Sequence, residues 1–377
     1  MSTTSLSSAV MTHPVREAQA AALAARLGLD GLARDPDPDG PPSALRTALV
    51  AWAARAAGAD HHLVVQDDVA GPPELLALVA GSVARFPDEA LVFYTNWHAR
   101  NGAAARLAAL AGAGWVRAVP EEFAPTLAIC LPVGTADAFR SFAAETGERH
   151  DDEVMAAFLR TTGRSALLAV PSVVEHIGTS SINGHAAQGI RLAVCPVGVA
   201  DARPLLERGW VLEEVDWLPY MRYGEGYLRP VGHERDADPR RHPRWTEALP
   251  DTGLTEGRVR DVARRHRPGG AAAEVGRLFG TAFADELWIH CLLLGRQAED
   301  AARRHQAPPP GSGPAGAAAA RVRTAALSTV GPAGLPPERR PEVTPEHTAL
   351  LTAYADSAVR RGGLLLGPVP RTRAGTR

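Results

Sequence analysis

The residues best suited to chemistry are Asp67 and Asp68, which close the stretch His61-His62-Leu63-Val64-Val65-Gln66-Asp67-Asp68-Val69. A short apolar run stops abruptly there on two adjacent carboxylates. Three residues on, Gly71-Pro72-Pro73 opens a helical pattern that continues to Phe86. The arrangement predicts a buried strand delivering acid to its C-terminal end, where open α/β sheets bind their ligands. Carboxylates this close repel unless a cation or hydrogen-bond donors compensate, and hard divalent cations select oxygen ligands. An Asx turn capping the following helix is the competing structural explanation.

Four further features join this pair. The opening strand ends in Thr12-His13-Pro14-Val15-Arg16, a polar loop before a helix, suited to a nucleotide or to an ordinary turn. Asp35 falls where a second strand would end, either as a ligand-binding group or as a turn aspartate ahead of Pro36. His150-Asp151-Asp152-Glu153 opens a helix. Acids in a first turn satisfy the helix dipole, and a carboxylate at a helix start facing the cleft is also a good general base, ionised and aimed. Finally, Pro171-Ser172-Val173-Val174-Glu175-His176-Ile177-Gly178-Thr179-Ser180-Ser181 follows a strand pattern. A lone histidine is usually structural, but one beside a di-acid can close a metal site.

These residues need a scaffold, and the first half of the chain alternates as one. Strand patterns at residues 8–12, 62–66 and 90–94 alternate with helical patterns at about 15–27, 43–57 and 73–85, with Ser43 as an N-cap. This rhythm predicts an α/β fold with a largely parallel sheet flanked by helices. Further strands are expected at 127–132, 165–170 and 190–194, and helices at 135–146 and 151–161. Residues 196–227 are mixed and hold Trp210, Trp217, Tyr220, Tyr223 and Tyr227, an aromatic group suited to binding, covering or core packing. Helical patterns return at 257–266 and 271–305. Residues 306–345, rich in Pro, Gly, Ala and Arg, read as a flexible linker before a short helix at 345–361.

Composition narrows the classes. The chain has 377 residues, 45% of them hydrophobic, without an apolar run long enough to span a bilayer. No basic residue precedes Ala9-Val10-Met11, which does not fit a secretory signal, so a soluble cytoplasmic protein is expected. With 42 acidic against 40 basic residues there is no global field for nucleic acid. Every basic residue is Arg and none is Lys, which excludes Schiff-base lysines, a P-loop lysine and a kinase strand lysine. Cys130, Cys195 and Cys291, far apart in apolar surroundings, read as reduced core thiols.

Taken together and in order, these motifs resemble the GT-A glycosyltransferases, nucleotide-sugar-dependent enzymes with a Rossmann-like sheet. The likeness is greatest to bacterial members whose metal strand reads HHLVLQDD, whose later helix begins HDD, and which carry a PSLVxHxG element. It rests on His61–Asp68, His150–Asp152 and Pro171–Gly178, and on Ser43–Ala48 with Ala51-Trp52, and spans residues 8–184. Here the family's Asp-x-Asp metal signature takes its adjacent Gln-Asp-Asp form. The resemblance implies that Thr12, Arg16, Asp35 and Arg46 hold the base, ribose or phosphates of a nucleotide-sugar donor. Asp68, assisted by Asp67 and with His176 completing the shell, would bind manganese or magnesium; His233 is a rival late ligand. Asp152, with Asp151 as substitute, would deprotonate an acceptor hydroxyl for an inverting displacement, retention staying open if no carboxylate is suitably placed. Trp97 and Trp115 would offer an acceptor platform or pack in the core. The implied division is a GT-A domain over 1–195, a mixed and helical extension over 196–305, the linker at 306–345 and a terminal helix and tail at 346–377. Two other functions stay open: a non-catalytic glycan- or partner-binding degenerate transferase, and a metal-dependent nucleotidyltransferase. Donor sugar, acceptor and oligomeric state are not legible.

Overall fold

The computed structural model describes residues 5–177, 191–231, 242–307 and 313–367. The N-terminal part runs β1 (Leu6–Thr12), a one-turn 3-10 helix (Pro14–Arg16), α1 (Glu17–Leu27), β2 (Gly31–Arg34), α2 (Ala44–Ala53), β3 (His61–Gln66), β4 (Val69–Ala70), α3 (Leu75–Arg85) and β5 (Ala90–Val92). It continues through α4 (Arg100–Ala111), β6 (Trp115–Arg117), β7 (Ala128–Pro132), α5 (Val133–Ala144), α6 (Asp151–Thr161), β8 (Ala166–Ala169) and β9 (Glu175–His176). The C-terminal part is α7 (Val199–Arg208), β10 (Val211–Leu212), β11 (Trp217–Arg222), β12 (Glu225–Pro230), α8 (Trp245–Ala248), α9 (Glu256–His266), α10 (Gly269–Phe279), α11 (Thr281–Arg304), α12 (Gly313–Gly334) and α13 (Pro345–Leu365).

Eight strands form one central sheet in the order β10-β6-β8-β5-β7-β3-β1-β2. Strands β1, β2, β3, β5 and β8 share one direction, while β6, β7 and β10 run against them. The sheet is thus α/β and mostly parallel, as the alternation predicts. Apolar residues leave it on both faces. Val10, Leu63, Val65 and Leu91 pack under α1, α3 and α7, and Ala9, Val64, Val92 and Ile129 pack under α2, α4, α5 and α6. Central strands buried on both sides read as continuous apolar runs, which is why β3 is legible without alternation. The register sets Met11 beside Gln66, so β1 and β3 reach the same edge together and Thr12 arrives next to Asp67.

Several expectations are corrected. Residues 313–334, placed in a flexible linker, form α12, with Ala318, Val322, Ala326 and Val330 buried against α4, α7, α13 and β11. Small side chains that resemble a linker in composition here let helices approach closely. The helix expected over 271–305 breaks at Gly280, whose φ of 97° lies outside what other residues readily adopt. No strand forms over the described residues 191–194; Ala193 makes only an isolated bridge to Asn96. Across residues 195 and 196, β10 extends the sheet and one apolar cluster runs from Ala9 to Leu366. Trp97 and Trp115 are core, not platform: both are buried, and Trp115 donates to the Leu206 carbonyl and meets Phe86 and Phe93 edge-on. The three cysteines are free and buried. Among the described residues no helix is long and apolar enough to cross a membrane.

Candidate functional site

The C-terminal ends of β1, β2 and β3 open into a cleft of about 190 Å³. Its walls include Thr12, Arg16, Asp35, Arg46, Asp67, Asp68, Asp151 and Asp152. All the residues assigned to donor and base are therefore brought together; His176 stands behind the wall, against Asp68. Gly178–Ser181 and His233 lie outside the described residues.

Asp67 is held from three sides. Thr12 Oγ1 donates to Asp67 Oδ2 at 2.6 Å, Arg16 Nη1 donates to Oδ1 at 3.2 Å, and Gln19 Nε2 donates to the Asp67 carbonyl at 2.9 Å. Pro14 shapes the turn that aims Arg16, with His13 capping it through Nδ1. Burial still raises the Asp67 pKa, with Asp68 adding repulsion against the Thr12 and Arg16 contacts. Asp68 differs. The short pairing of β4 with β9 sets Val69 opposite His176, so His176 Nε2 comes within 3.3 Å of Asp68 Oδ2. Arg16 Nη1 lies 3.6 Å from the same oxygen, and Arg191 Nη2 lies 3.0 Å from His176 Nε2. Burial pushes the Asp68 pKa up, but His176, Arg16 and Arg191 outweigh it and hold it below the ordinary carboxylate value. The other oxygen, Oδ1, is buried without a hydrogen-bond partner. A buried carboxylate oxygen left so is costly, and a cation or a substrate donor would satisfy it.

These groups fit a divalent ion in a particular way. Among the described residues no set of three His, Cys, Asp or Glu side chains forms a cage for an ion. Magnesium-type sites commonly use one or two carboxylates and complete the shell with substrate phosphates and water. Asp68 Oδ1 has the chemistry for that role; Asp67, already bonded to Thr12 and Arg16, and His176, paired with Asp68, would orient it.

Opposite, Asp35 follows β2 directly and is clamped by Arg46 on the first turns of α2. Nε meets Oδ1 at 2.6 Å and Nη2 meets Oδ2 at 2.8 Å. Arg46 also donates to the carbonyls of Pro41 and Asp37, so it braces the 35–41 loop rather than standing open to a ligand. The Arg46 hydrogen bonds hold the Asp35 pKa low against burial. At the start of α6 the two acids divide. Asp151 is buried, and burial with the charge of Asp152 pushes it up to about 7 against a hydrogen bond from Thr126. Asp152 is half-buried, and its Oδ1 accepts from the Glu153 N–H at 2.9 Å. Burial and the neighbouring Asp152 thus work against an ionised carboxylate at Asp151, the substitute base.

The sequence offered no sign of Thr126 or Arg191 as site residues, and gave Gln66 no role beyond its place in the Gln-Asp-Asp motif. Thr126 reaches the cleft because β7 is antiparallel to β3, so the residue before the strand, not after it, lies at the cleft edge. Arg191 is brought in by main-chain pairing, with the Trp97 N–H on the Leu192 carbonyl and the Tyr94 hydroxyl on its own carbonyl. No protein-family model matches this chain, and no curated protein matches its sequence.

Proposed function

We propose that this chain is a metal-dependent glycosyltransferase that moves a sugar from a nucleotide-sugar donor to an acceptor hydroxyl. The observation that carries the reading is one cleft, at strand ends, that gathers acids and arginines from six separate segments around a buried, unsatisfied Asp68 Oδ1. A divalent ion on Asp68 would supply charge neutralisation for the departing diphosphate. Arg16 would assist at the phosphates while holding Asp67. Asp35, rigid in its Arg46 clamp, keeps a lone pair on Oδ2 for a ribose hydroxyl. Asp152 would take the proton of the acceptor hydroxyl as its oxygen bonds to the anomeric carbon. The bond from that carbon to the diphosphate breaks, and its electron pair leaves on phosphate oxygen. Attack opposite the leaving group inverts the centre. Asp151 is buried and pushed up in pKa while Asp152 is more exposed, a difference in environment of the kind that acid–base chemistry exploits.

The test is release of nucleoside diphosphate from uridine, guanosine and thymidine diphosphate sugars, with manganese, by wild type and Asp152→Asn. Metal-dependent release that Asp152→Asn loses supports the transferase. Nucleotide binding without any release would move the chain to the non-catalytic class.

A further inference from the structure

Arg191 lines the cleft together with Arg16 and Arg46, and its situation differs from theirs. Arg46 is clamped on Asp35, and Arg16 lies between Asp67 and Asp68. Both thereby offset acids of the protein itself. Among the described residues no carboxylate stands within ion-pair distance of Arg191, whose Nη2 lies 3.0 Å from His176 Nε2. Residues 178–190, which lead to it along the chain, contain no Asp or Glu. A guanidinium keeps its charge at any ordinary pH and carries five N–H donors, of which the histidine contact uses one.

The position of Arg191 is fixed by main-chain anchors. The Tyr94 hydroxyl donates to the Arg191 carbonyl at 2.6 Å, and the Trp97 N–H donates to the Leu192 carbonyl at 2.9 Å. Tyr94 and Trp97 are themselves buried. Glu175 Oε1 accepts from the Ala193 N–H at 2.6 Å and from the His176 N–H at 2.9 Å. One carboxylate thus ties the Arg191 segment to β9, and β9 pairs with β4 directly after Asp68. The charge is felt at Asp68, because Arg191 is among the cations that hold the pKa of that acid low.

A divalent ion on Asp68 would place a second positive charge beside this arginine, and like charges at short range need an anion between them. We infer that Arg191 contacts the terminal phosphate of the nucleoside diphosphate, the phosphate that departs with the electron pair of the broken bond to the sugar. The assignment rests on the transferase reading and gives the 191–194 segment a part in it. A guanidinium can donate to two oxygens of one phosphate. Charge grows on that phosphate as the bond breaks, so the contact strengthens towards the transition state.

The experiment is calorimetric titration of uridine, guanosine and thymidine diphosphates, with manganese, into the full chain as wild type, Arg191→Gln and Arg191→Lys. The matching monophosphates are read by competition, and thermal unfolding of each protein checks the fold. For the nucleotide that binds wild type, Arg191→Gln should weaken the diphosphate by about tenfold, the loss of a charge-assisted contact. The monophosphate should stay within about twofold, and Arg191→Lys, which keeps the charge, should bind the diphosphate more tightly than Arg191→Gln. Equal diphosphate binding by wild type and Arg191→Gln, an equal loss for the monophosphate, or no recovery with lysine overturns the assignment and leaves the donor reading in place. No binding of any nucleotide to wild type contradicts the donor reading itself, and the assignment falls with it.

Discussion

Asp151→Asn should stabilise the protein, and increasingly so as pH rises. The folded value of about 7 lies well above the ordinary 3.8 because burial and Asp152 disfavour the charged form. An unfolded chain releases this proton near the ordinary value. Between the two values the native state therefore binds more protons than the unfolded state, so stability falls as pH climbs through that window. The gap is about three pH units at ~1.4 kcal/mol each, a full cost of about 4 kcal/mol above neutrality. Asparagine imitates the protonated acid in shape and can keep the Thr126 contact, without the charge. Denaturant unfolding at intervals from about pH 3.5 to 8.5 would show the two proteins close at the acid end and the variant ahead by about 4 kcal/mol at the basic end. Parallel curves would refute the reasoning, since the charge of Asp151 would then carry no cost in the fold.

Asp152→Asn should leave nucleotide binding within about twofold and reduce transfer by at least about a hundredfold, the usual worth of a general base, read as kcat with saturating donor. Arg46→Met should destabilise the fold by about 2–4 kcal/mol at neutral pH, because it leaves Asp35 buried without its partner. That difference should shrink below about pH 4 as Asp35 protonates, an outcome read by unfolding at two pH values. Gly295→Ala should cost about 1–3 kcal/mol, since its methyl group would meet the Val359 carbonyl where α11 and α13 touch. An unchanged midpoint would contradict that close approach.

The parts of the fold legible in the sequence were those with a local physical signature. Strand β3 declares itself through consecutive apolar residues ending on Asp67-Asp68, and α6 through Asp151, Asp152 and Glu153 at its first turn. Helix α4 was not read because all twelve of its residues are buried, Arg100 and Arg106 included, so it has no polar face to mark a period. Helix α12 was misread because Ala and Gly serve both linkers and close helix contacts, and only the surrounding helices decide. Thr12, Asp35, Asp67 and Asp68 came out together because each sits at a strand end, a position that local pattern reveals, while Arg16 and Arg46 are carried by the helices that follow. Arg191 depends on long-range pairing, and no local pattern marks it. The aromatic group at 210–227 divides in the same way: Trp217 and Tyr220 are core, Trp210 stacks on His305, and Tyr223 faces outward.

The central claim is that Asp68 holds a divalent ion under a nucleotide diphosphate. Calorimetric titration of uridine diphosphate, with and without manganese, into wild type and Asp68→Ala tests it most directly, with guanosine and thymidine diphosphates as further ligands. The account predicts binding that requires both the ion and Asp68, in a variant that keeps its fold. Equal manganese-supported binding by the two proteins, or no binding of any of these nucleotides to wild type, would contradict it.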